Sequence, residues 1–331
     1  MRPVRVGVWG AGQWGEKHAR VYHTIEQAEL VGVFDHHPGR SAAIATQYGC
    51  RVFESAEELC AGCEAVSVAV PTIHHRAAVE QAAAAGLHVL VEKPMAATVE
   101  DADAMIAAAE GAGVQLQVGH VERFNPALLA ARPHVRGPKF IECHRLALFQ
   151  PRSLDIDVVF DLMIHDLDIV LNCVRAEPVH ISAVGVAVLS GNEDIANARL
   201  EFPDGCVVNL TASRVSQERL RRIRFFQADS YLSVDLFEKR ADWLEVDTVR
   251  LRAAGADVLA GAAAIRRERL PIEEGEPLTL ELQAFVGSLR GEGKGAAPAR
   301  AGRAALAMAA EVRTAMQRRA QQWKTTPSAA S

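Results

Sequence analysis

The chain has 331 residues, 49% of them hydrophobic and 23% charged, with a formal net charge of −5. That length suits two domains of ordinary globular composition, each able to bury a core. The acidic balance argues against nucleic acid as a partner, so the clusters Arg219–Arg224 and Arg266–Arg269 read as solvated or ion-paired surface.

In chain order, Val4–Trp9 reads as a short strand, with no basic-then-apolar leader before it. It runs straight into Gly10-Ala11-Gly12-Gln13-Trp14-Gly15 and a helix expected from Glu16 to about Gln27. Strand, glycine loop and helix in that order are the context a dinucleotide fingerprint requires. Gly10 permits the tight turn, Gly12 lets the main chain approach a pyrophosphate, and Gly15 lets the helix lie close on the strand. The helix N-terminus offers N–H groups and a positive dipole end, so the loop with Ala11, Gln13 and Trp14 is the candidate cofactor site. A second strand, Leu30–Phe34, ends at Asp35. A carboxylate there suits ribose hydroxyls and repels a 2′-phosphate, so NAD is expected rather than NADP.

Cys60 and Cys63 end a helical segment with no second pair at zinc spacing, so the cysteines read as reduced and structural and no metal is expected. Ala65–Val70 is another buried strand, and beyond it Pro71 and Thr72 belong over the nicotinamide half of a cofactor, with His75 capping or lining the same cleft. The run Leu87–Val91 then stops abruptly in Glu92-Lys93-Pro94. Proline cannot donate to a ladder, so Lys93 lies at a strand's carboxyl end, where open α/β sheets bind ligands. A helix from about Val99 to Glu110 and a strand at Val114–Val118 complete about six strands alternating with helices. The fold expected is α/β, with an N-terminal Rossmann doubly wound parallel sheet over residues 1–120.

His120, Arg123 and Asn125 carry polar side chains across the boundary into residues 121–331, and Arg152 follows a strand at Phe140–Phe149. These four are candidates to meet substrate hydroxyls or a diphosphate. In the helical run from Val158 to Asn172, Asp161, His165, Asp168 and Asn172 recur at steps of four, three and four and form one polar stripe on an apolar helix. Such a stripe aims at an internal network or a cleft. The network suits Asp168 and Asn172; for Asp161 and His165 the cleft is favoured, because a carboxylate one turn away fixes the tautomer of an imidazole. Beyond Val174 the period changes to two, with strands at 178–189, 195–202, 206–213, 221–226 and 231–236, and Pro203-Asp204-Gly205 as a hairpin turn. This predicts a C-terminal α+β domain on a large, open, mostly antiparallel sheet, whose bare face invites a partner copy. Residues 251–269 fit no clear period; helices follow from Glu276 to about Arg290 and from Arg300 to Gln321, and the tail from about 325 is expected to fray. No apolar run approaches the about 18 residues of a membrane span, and the expected compartment is the cytoplasm.

With these residues laid out, the chain resembles the Gfo/Idh/MocA oxidoreductase family over nearly its whole length. The resemblance is carried by Gly10 to Gly15 with His18, by Asp35, by Pro71 with His75, by Glu92-Lys93-Pro94, by Asp161 with His165, and by Glu276-Pro277-Leu278 leading into Glu281-Leu282 and Phe285. It implies an NAD(P)-dependent enzyme acting on CH–OH groups, forming homodimers or homotetramers through the C-terminal sheet. It also implies catalytic roles for Lys93, Asp161 and His165, with Glu92 and Lys93 near the cofactor. Within the family, Val118–Pro126 and Asp161–Asp166 look most like the UDP-N-acetylglucosamine 3-dehydrogenase branch, which serves lipid A or surface glycan synthesis. Ser153-Leu154-Asp155-Ile156-Asp157 departs from the glycine-rich approach of other sugar dehydrogenases. The alternatives are a family dehydrogenase for another sugar, inositol or cyclic polyol, and a sensor that binds NAD and a sugar without chemistry. The expected reaction takes a hydroxyl proton to His165, oriented by Asp161, while Lys93 bonds the same oxygen.

Overall fold

A computed structural model describes residues 2–150, 156–254, 262–292 and 297–325. Arg152, the Ser153–Asp155 stretch and the tail beyond 325 lie outside the described residues. The chain divides into two compact units, Met1–Phe124 with Gly275–Leu306, and Asn125–Glu274 with Ala307–Ser331.

The first unit is built on β1 (Val4–Trp9), β2 (Ala28–Phe34), β3 (Arg51–Val52), β4 (Ala65–Val68), β5 (His88–Glu92) and β6 (Leu116–Gly119). Their order is β3-β2-β1-β4-β5-β6, all parallel, so the chain reverses its direction of winding between β1 and β4. Ligands of open α/β sheets bind beyond the strand ends at that reversal. Among the crossover helices are α1 (Gln13–Thr24), α2 (Pro38–Tyr48), α3 (Ala56–Gly62), α4 (His75–Ala84) and α5 (Val99–Ala112). Helix α1 starts three residues before the position expected, because Gly12 is extended and caps it, which brings Gln13, Trp14 and Gly15 into the first turn. Ser55 and Thr98 cap α3 and α5 through their hydroxyls.

The sequence assigns everything after residue 120 to the second domain, and here the structure differs. Helix Pro277–Leu289 spaces Leu278, Leu282 and Phe285 along one face, and that face joins Val6, Val8 and Tyr22 in the first unit's core. Val118 N–H then donates to Ala297 O at 3.1 Å, tying the returning chain to β6.

The second unit contains β7 (Phe140–Leu146), β8 (His180–Val186), β9 (Ile195–Glu201), β10 (Val207–Ser213), β11 (Leu220–Phe226), β12 (Ser230–Asp235), β13 (Arg240–Val246) and β14 (Ile265–Arg269). They form one sheet in the order β14-β13-β12-β11-β7-β10-β9-β8, antiparallel at every junction except the parallel β7–β10 pair. Alternation sets its two faces: Ile141, Cys143, Leu210, Ile223 and Phe225 are buried on one, in mutual register. The run from Val158 to Asn172 is not one α-helix. It opens as a π turn over Val159–Met163, started by Asp157 Oδ1 accepting from the Val159 and Phe160 N–H groups at 3.0 and 3.1 Å, and becomes α7 (Ile164–Val174) afterwards. Helix α6 (Pro126–Ala131) packs on β12 and β13, and α8 (Thr248–Ala254) precedes β14. Among the described residues no helix is long and apolar enough to cross a membrane.

Candidate active site

In the first unit the glycine loop has the shape its sequence predicts. Gly10 lies at φ +104°, and a Cβ there would sit 2.7 Å from the Ala69 carbonyl, so the turn admits only glycine. At Gly15 a Cβ would lie 1.7 Å from the Gly10 oxygen, because α1 rests directly on the loop. Gly12 differs from both: its missing Cβ faces open space, with nothing within 4 Å. The chain therefore leaves room there for something other than its own packing.

Asp35 reaches back from the end of β2 to this loop. Its Oδ2 accepts the Ala11 N–H at 2.7 Å and its Oδ1 the His37 N–H at 2.8 Å. Ala11, read from sequence as a cofactor contact, thus gives its N–H to Asp35, and the first-turn N–H groups of Gln13, Trp14 and Gly15 are those the helix itself cannot satisfy. Beside Asp35 opens a cavity of about 540 Å³, walled by Trp9, Phe34, Val70 and His74. This loop and cavity fit a dinucleotide: a wide apolar slot at the end of β2, a carboxylate at its edge and a helix N-terminus beside it. Pro71 and Thr72 follow at the end of β4, entering a short 3-10 turn over Thr72–His74.

His75 is different from its expected role. It is 1% exposed, its Nδ1 lies 3.0 Å from Pro94 O and 3.2 Å from Met95 O, and its Nε2 lies 2.9 Å from Val70 O. Both ring nitrogens face main-chain carbonyls, so His75 ties the end of β4 to the segment after β5 and presents no nitrogen to a ligand. Burial pushes its pKa down, partly offset by those carbonyls and by Glu92.

Lys93 stands half-buried just past β5, followed by a cis bond to Pro94, and its N–H donates to Glu92 Oε2 at 3.2 Å. Glu92 is itself buried and meets His18 Nε2 from α1 at 2.9 Å. His18 received no role from the sequence alone; a histidine three positions after the last glycine of the loop, on the inner face of α1, is the signal available. His120 is buried and Arg123 half-buried as the chain leaves β6.

In the second unit Asn125 is spent on structure. Its Oδ1 accepts from Ala127 N–H at 3.1 Å, capping α6, and its Nδ2 donates to Leu236 O at 2.9 Å. Asp161 and His165 are both half-buried, Asp161 on the π turn and His165 in the first turn of α7. Asp161 lines a second cavity, of about 140 Å³, together with Leu162, Arg214, Arg219 and Arg221. Asp168 is buried and Asn172 half-buried further along α7.

Two buried ion pairs fix this region, and pattern reading missed both. Arg145 Nε and Nη2 lie 2.9 and 2.8 Å from the two oxygens of Asp166, which anchors α7 to β7. Arg145 occupies an inward position of β7 after Ile141 and Cys143, and an arginine in that register is the signal that would have found it. Arg214 Nε lies 2.9 Å from Asp194 Oδ1. Burial opposes ionisation of Asp194, but the Ser190 and Leu189 N–H groups, the Ser190 hydroxyl and Arg214 outweigh it and hold its pKa below the usual carboxylate range.

A parallel sheet that reverses its winding at a glycine loop defines a Rossmann-type dinucleotide-binding unit, here joined to a second unit on an open sheet. Residues 4–120 match the model of the oxidoreductase family with NAD-binding Rossmann fold, and residues 145–229 match the GFO/IDH/MocA C-terminal domain. A UDP-N-acetylglucosamine 3-dehydrogenase from Acidithiobacillus ferrooxidans is 40% identical over 95% of this chain and 97% of its own. A solved structure of that enzyme superposes with a TM-score of 0.87, covering 96% of this chain and 99% of the other at 38% identity. The WlbA dehydrogenase from Bordetella pertussis, solved with NADH and UDP-GlcNAcA, shares the fold at 20% identity, with a TM-score of 0.80 over 96% of each chain. The chain belongs to the Gfo/Idh/MocA oxidoreductase family.

Proposed function

We propose that this protein is an NAD-dependent dehydrogenase that oxidises a secondary hydroxyl, at C3, of a nucleotide-linked amino sugar, with UDP-N-acetylglucosamine as the substrate. The reading is carried by the 40% identity to an enzyme of that activity over 95% of the chain. The glycine loop and Lys93 at the end of β5 are consistent with it. Bound NAD⁺ supplies the two-electron acceptor. His165 takes the hydroxyl proton, and Asp161 holds the imidazole in the tautomer that can accept it. Lys93 donates to the same oxygen and stabilises the negative charge that develops there as His165 takes the proton, a charge that collapses into the C=O bond as the hydride leaves. The products are the 3-keto sugar and NADH, with the proton on His165. Arg123 is assigned to substrate hydroxyls.

NAD is proposed over NADP because Asp35 keeps a carboxylate at the end of β2, where a 2′-phosphate would be repelled. We assign the outer face of the second sheet to a copy of the same chain. There Phe140 and Phe226 stack with ring centroids 5.4 Å apart, and Tyr231 lies 5.0 Å from Phe226. Light scattering should return a homodimer or homotetramer, and Phe226→Glu should dissociate it. A cytoplasmic location goes with this reading, since the cofactor and nucleotide sugars are held there.

The deciding experiment is NADH formation with purified protein and a panel of sugars. UDP-N-acetylglucosamine should be oxidised, while myo-inositol and glucose are not. Lys93→Ala should abolish turnover and leave the NAD Kd within about twofold. Activity on inositol alone would replace the substrate assignment, and NAD binding with no turnover on any sugar would turn the reading to a sensor.

A further inference from the structure

Asp194 and Arg214 are both buried, at 0% and 4% exposed, and the reaction proposed above uses neither. A buried ion pair is weak evidence for stability, because each ion gives up its hydration to enter it. Its purpose is read from where the other hydrogen bonds of the pair go. Asp194 ends the connection from β8 to β9, and its Oδ2 accepts the N–H groups of Val188, Leu189 and Ser190 at 2.8, 2.6 and 2.9 Å. The loop so folded puts Ser190 Oγ 3.1 Å from Arg214 Nη2, while Nε serves Asp194. The remaining nitrogen, Nη1, donates to Ile156 O at 2.9 Å. Two residues further on, Val158 N–H donates to Glu193 O at 3.0 Å. The main chain on both sides of Asp157 is therefore tied to this one loop and to Arg214.

Asp157, between those ties, starts the π turn. Its Oδ1 holds the Val159 and Phe160 N–H groups, and its main-chain oxygen accepts the Asp161 N–H at 3.1 Å. Burial pushes the Asp157 carboxyl up, and the Phe160 N–H, Arg313 and the Val159 N–H pull it back. Arg313, from the C-terminal helix Ala299–Thr325, also lies 4.6 Å over the Phe160 ring. The turn needs this support. It is wider than an α turn, with Ile164 N–H reaching back to Val159 O, and such turns are rare and concentrated at functional sites. Val158 and Val159 are β-branched and do little to start a helix. Closing the turn to regular α winding takes up one residue, which rotates a side chain by roughly 100° about the axis. Asp161 lies within the turn and His165 beyond it, so the winding sets the relation between them.

We propose that Arg214 and Asp157 are positioning residues for the reaction: together they fix where the π turn starts, and so place the Asp161 carboxylate relative to the His165 imidazole. This rests on the acid–base reading of Asp161 and His165 above and deepens it. Arg214 acts through the main chain at Ile156, and Asp157 through the amides that open the turn. Asp194 holds the guanidinium in the orientation this requires. A lysine at 214 could pair with Asp194, but it lacks the fork that serves Asp194, Ser190 and Ile156 at once.

The test compares the full-length wild type with Asp157→Ala, Asp157→Asn and Arg214→Lys, by steady-state NADH formation with UDP-N-acetylglucosamine and by crystal structures. In Asp157→Ala kcat should fall on the order of a hundredfold, and in Arg214→Lys on the order of tenfold, the loss that follows a displacement of about 1 Å at the acid–base pair. The sugar KM and the NAD Kd should stay within about twofold of wild type. Asp157→Asn should recover most of kcat, because its amide oxygen still accepts the two N–H groups. Crystals of Asp157→Ala should show the turn at Val159–Met163 rewound or opened, with Asp161 moved by more than about 1 Å. Melting curves identify a variant that fails to fold; should Asp157→Ala do so, Arg214→Lys carries the same comparison. Asp161 unmoved in the crystals overturns the proposal whatever the kinetics, and so does a loss of NAD affinity in step with kcat, since the damage is then general. Asp161 displaced with kcat unchanged overturns instead the role given to Asp161 in the reaction. Asp161 displaced in a protein whose wild type oxidises no sugar overturns the substrate assignment and keeps the placement of Asp161 by Arg214 and Asp157.

Discussion

His18 Nε2 lies 2.9 Å from Glu92 Oε1, with the two side chains 0% and 8% exposed. With Glu92 as a carboxylate, which only accepts, the ring must donate from Nε2. The other Glu92 oxygen accepts the N–H of Lys93, so a helix that begins at the glycine loop holds the residue proposed to act on the substrate oxygen. Removing the carboxylate by Glu92→Ala should cost about 1–3 kcal/mol, the penalty of leaving a buried donor unmet. It should also lower kcat on the order of a hundredfold through a misplaced Lys93, with the NAD Kd little changed. Glu92→Gln keeps an acceptor for His18 and should recover most of the stability. Denaturant titration alongside steady-state kinetics measures both, and a Glu92→Ala enzyme with normal kcat would remove Glu92 from any positioning role.

The Arg145–Asp166 pair makes a second prediction. Both side chains are at most 4% exposed, and the bidentate contact anchors α7, which carries His165, to β7. Deleting one partner leaves a buried charge without compensation, so Arg145→Met should destabilise the second unit by about 3–5 kcal/mol. Arg145→Met with Asp166→Leu removes both charges and should recover most of that loss. Equal instability in the single and double variants would locate the cost in packing instead.

How far the sequence foretold these relationships depends on how local each one is. The strand, glycine loop and helix at Val4–Thr24 were legible because the turn, the close approach at Gly15 and the helix start are all decided within about twenty residues. Strand β14 was not legible: Ile265, Arg266, Arg267 and Arg269 are exposed at the sheet edge, so no apolar alternation marks them. Nor could periodicity find the return of Leu278, Leu282 and Phe285 to the first core, since an amphipathic face does not name its partner. His75 and Asn125 show the same limit at the site. Each is a polar residue near a boundary, and only the fold decides that its hydrogen bonds go to main chain. Asp161 and His165 were read as a pair one α turn apart, but the segment between them is a π turn running into α7.

His75 makes stability depend on pH. Burial lowers its pKa from the ordinary value of about 6.5, so in the window below that value the unfolded chain takes up a proton that the folded chain resists. Its contribution is complete above about pH 6.5 and is lost as the pH falls toward the folded value. Thermal unfolding of wild type and His75→Gln from about pH 7.5 to about pH 5 should therefore show the largest wild-type advantage at the neutral end, narrowing with acid. An advantage that is constant over the range would mean that His75 does not titrate differently on folding.

Asp35 is the residue proposed to select NAD, and two of its contacts complicate the usual substitution. Its Oδ2 holds the Ala11 N–H and its Oδ1 the His37 N–H, so Asp35→Ala would remove the ribose partner and also loosen the glycine loop. Asp35→Asn separates the two effects, because its one amide oxygen can still accept from Ala11 while the negative charge is gone and the exposed His37 N–H turns to water. Hydrogen bonds to a charged group contribute about 1.5–3 kcal/mol. Asp35→Asn should therefore raise KM for NAD roughly ten- to a hundredfold and relieve the repulsion of a 2′-phosphate. Adding His36→Arg places a cation next to that phosphate and should bring kcat/KM for NADP up to or beyond that for NAD. The thermal midpoint of Asp35→Asn should stay near wild type, whereas that of Asp35→Ala should fall, since only the alanine variant strands the Ala11 donor. Unchanged NAD kinetics in both variants would show that the carboxylate serves the loop alone and leaves the choice of cofactor to other residues.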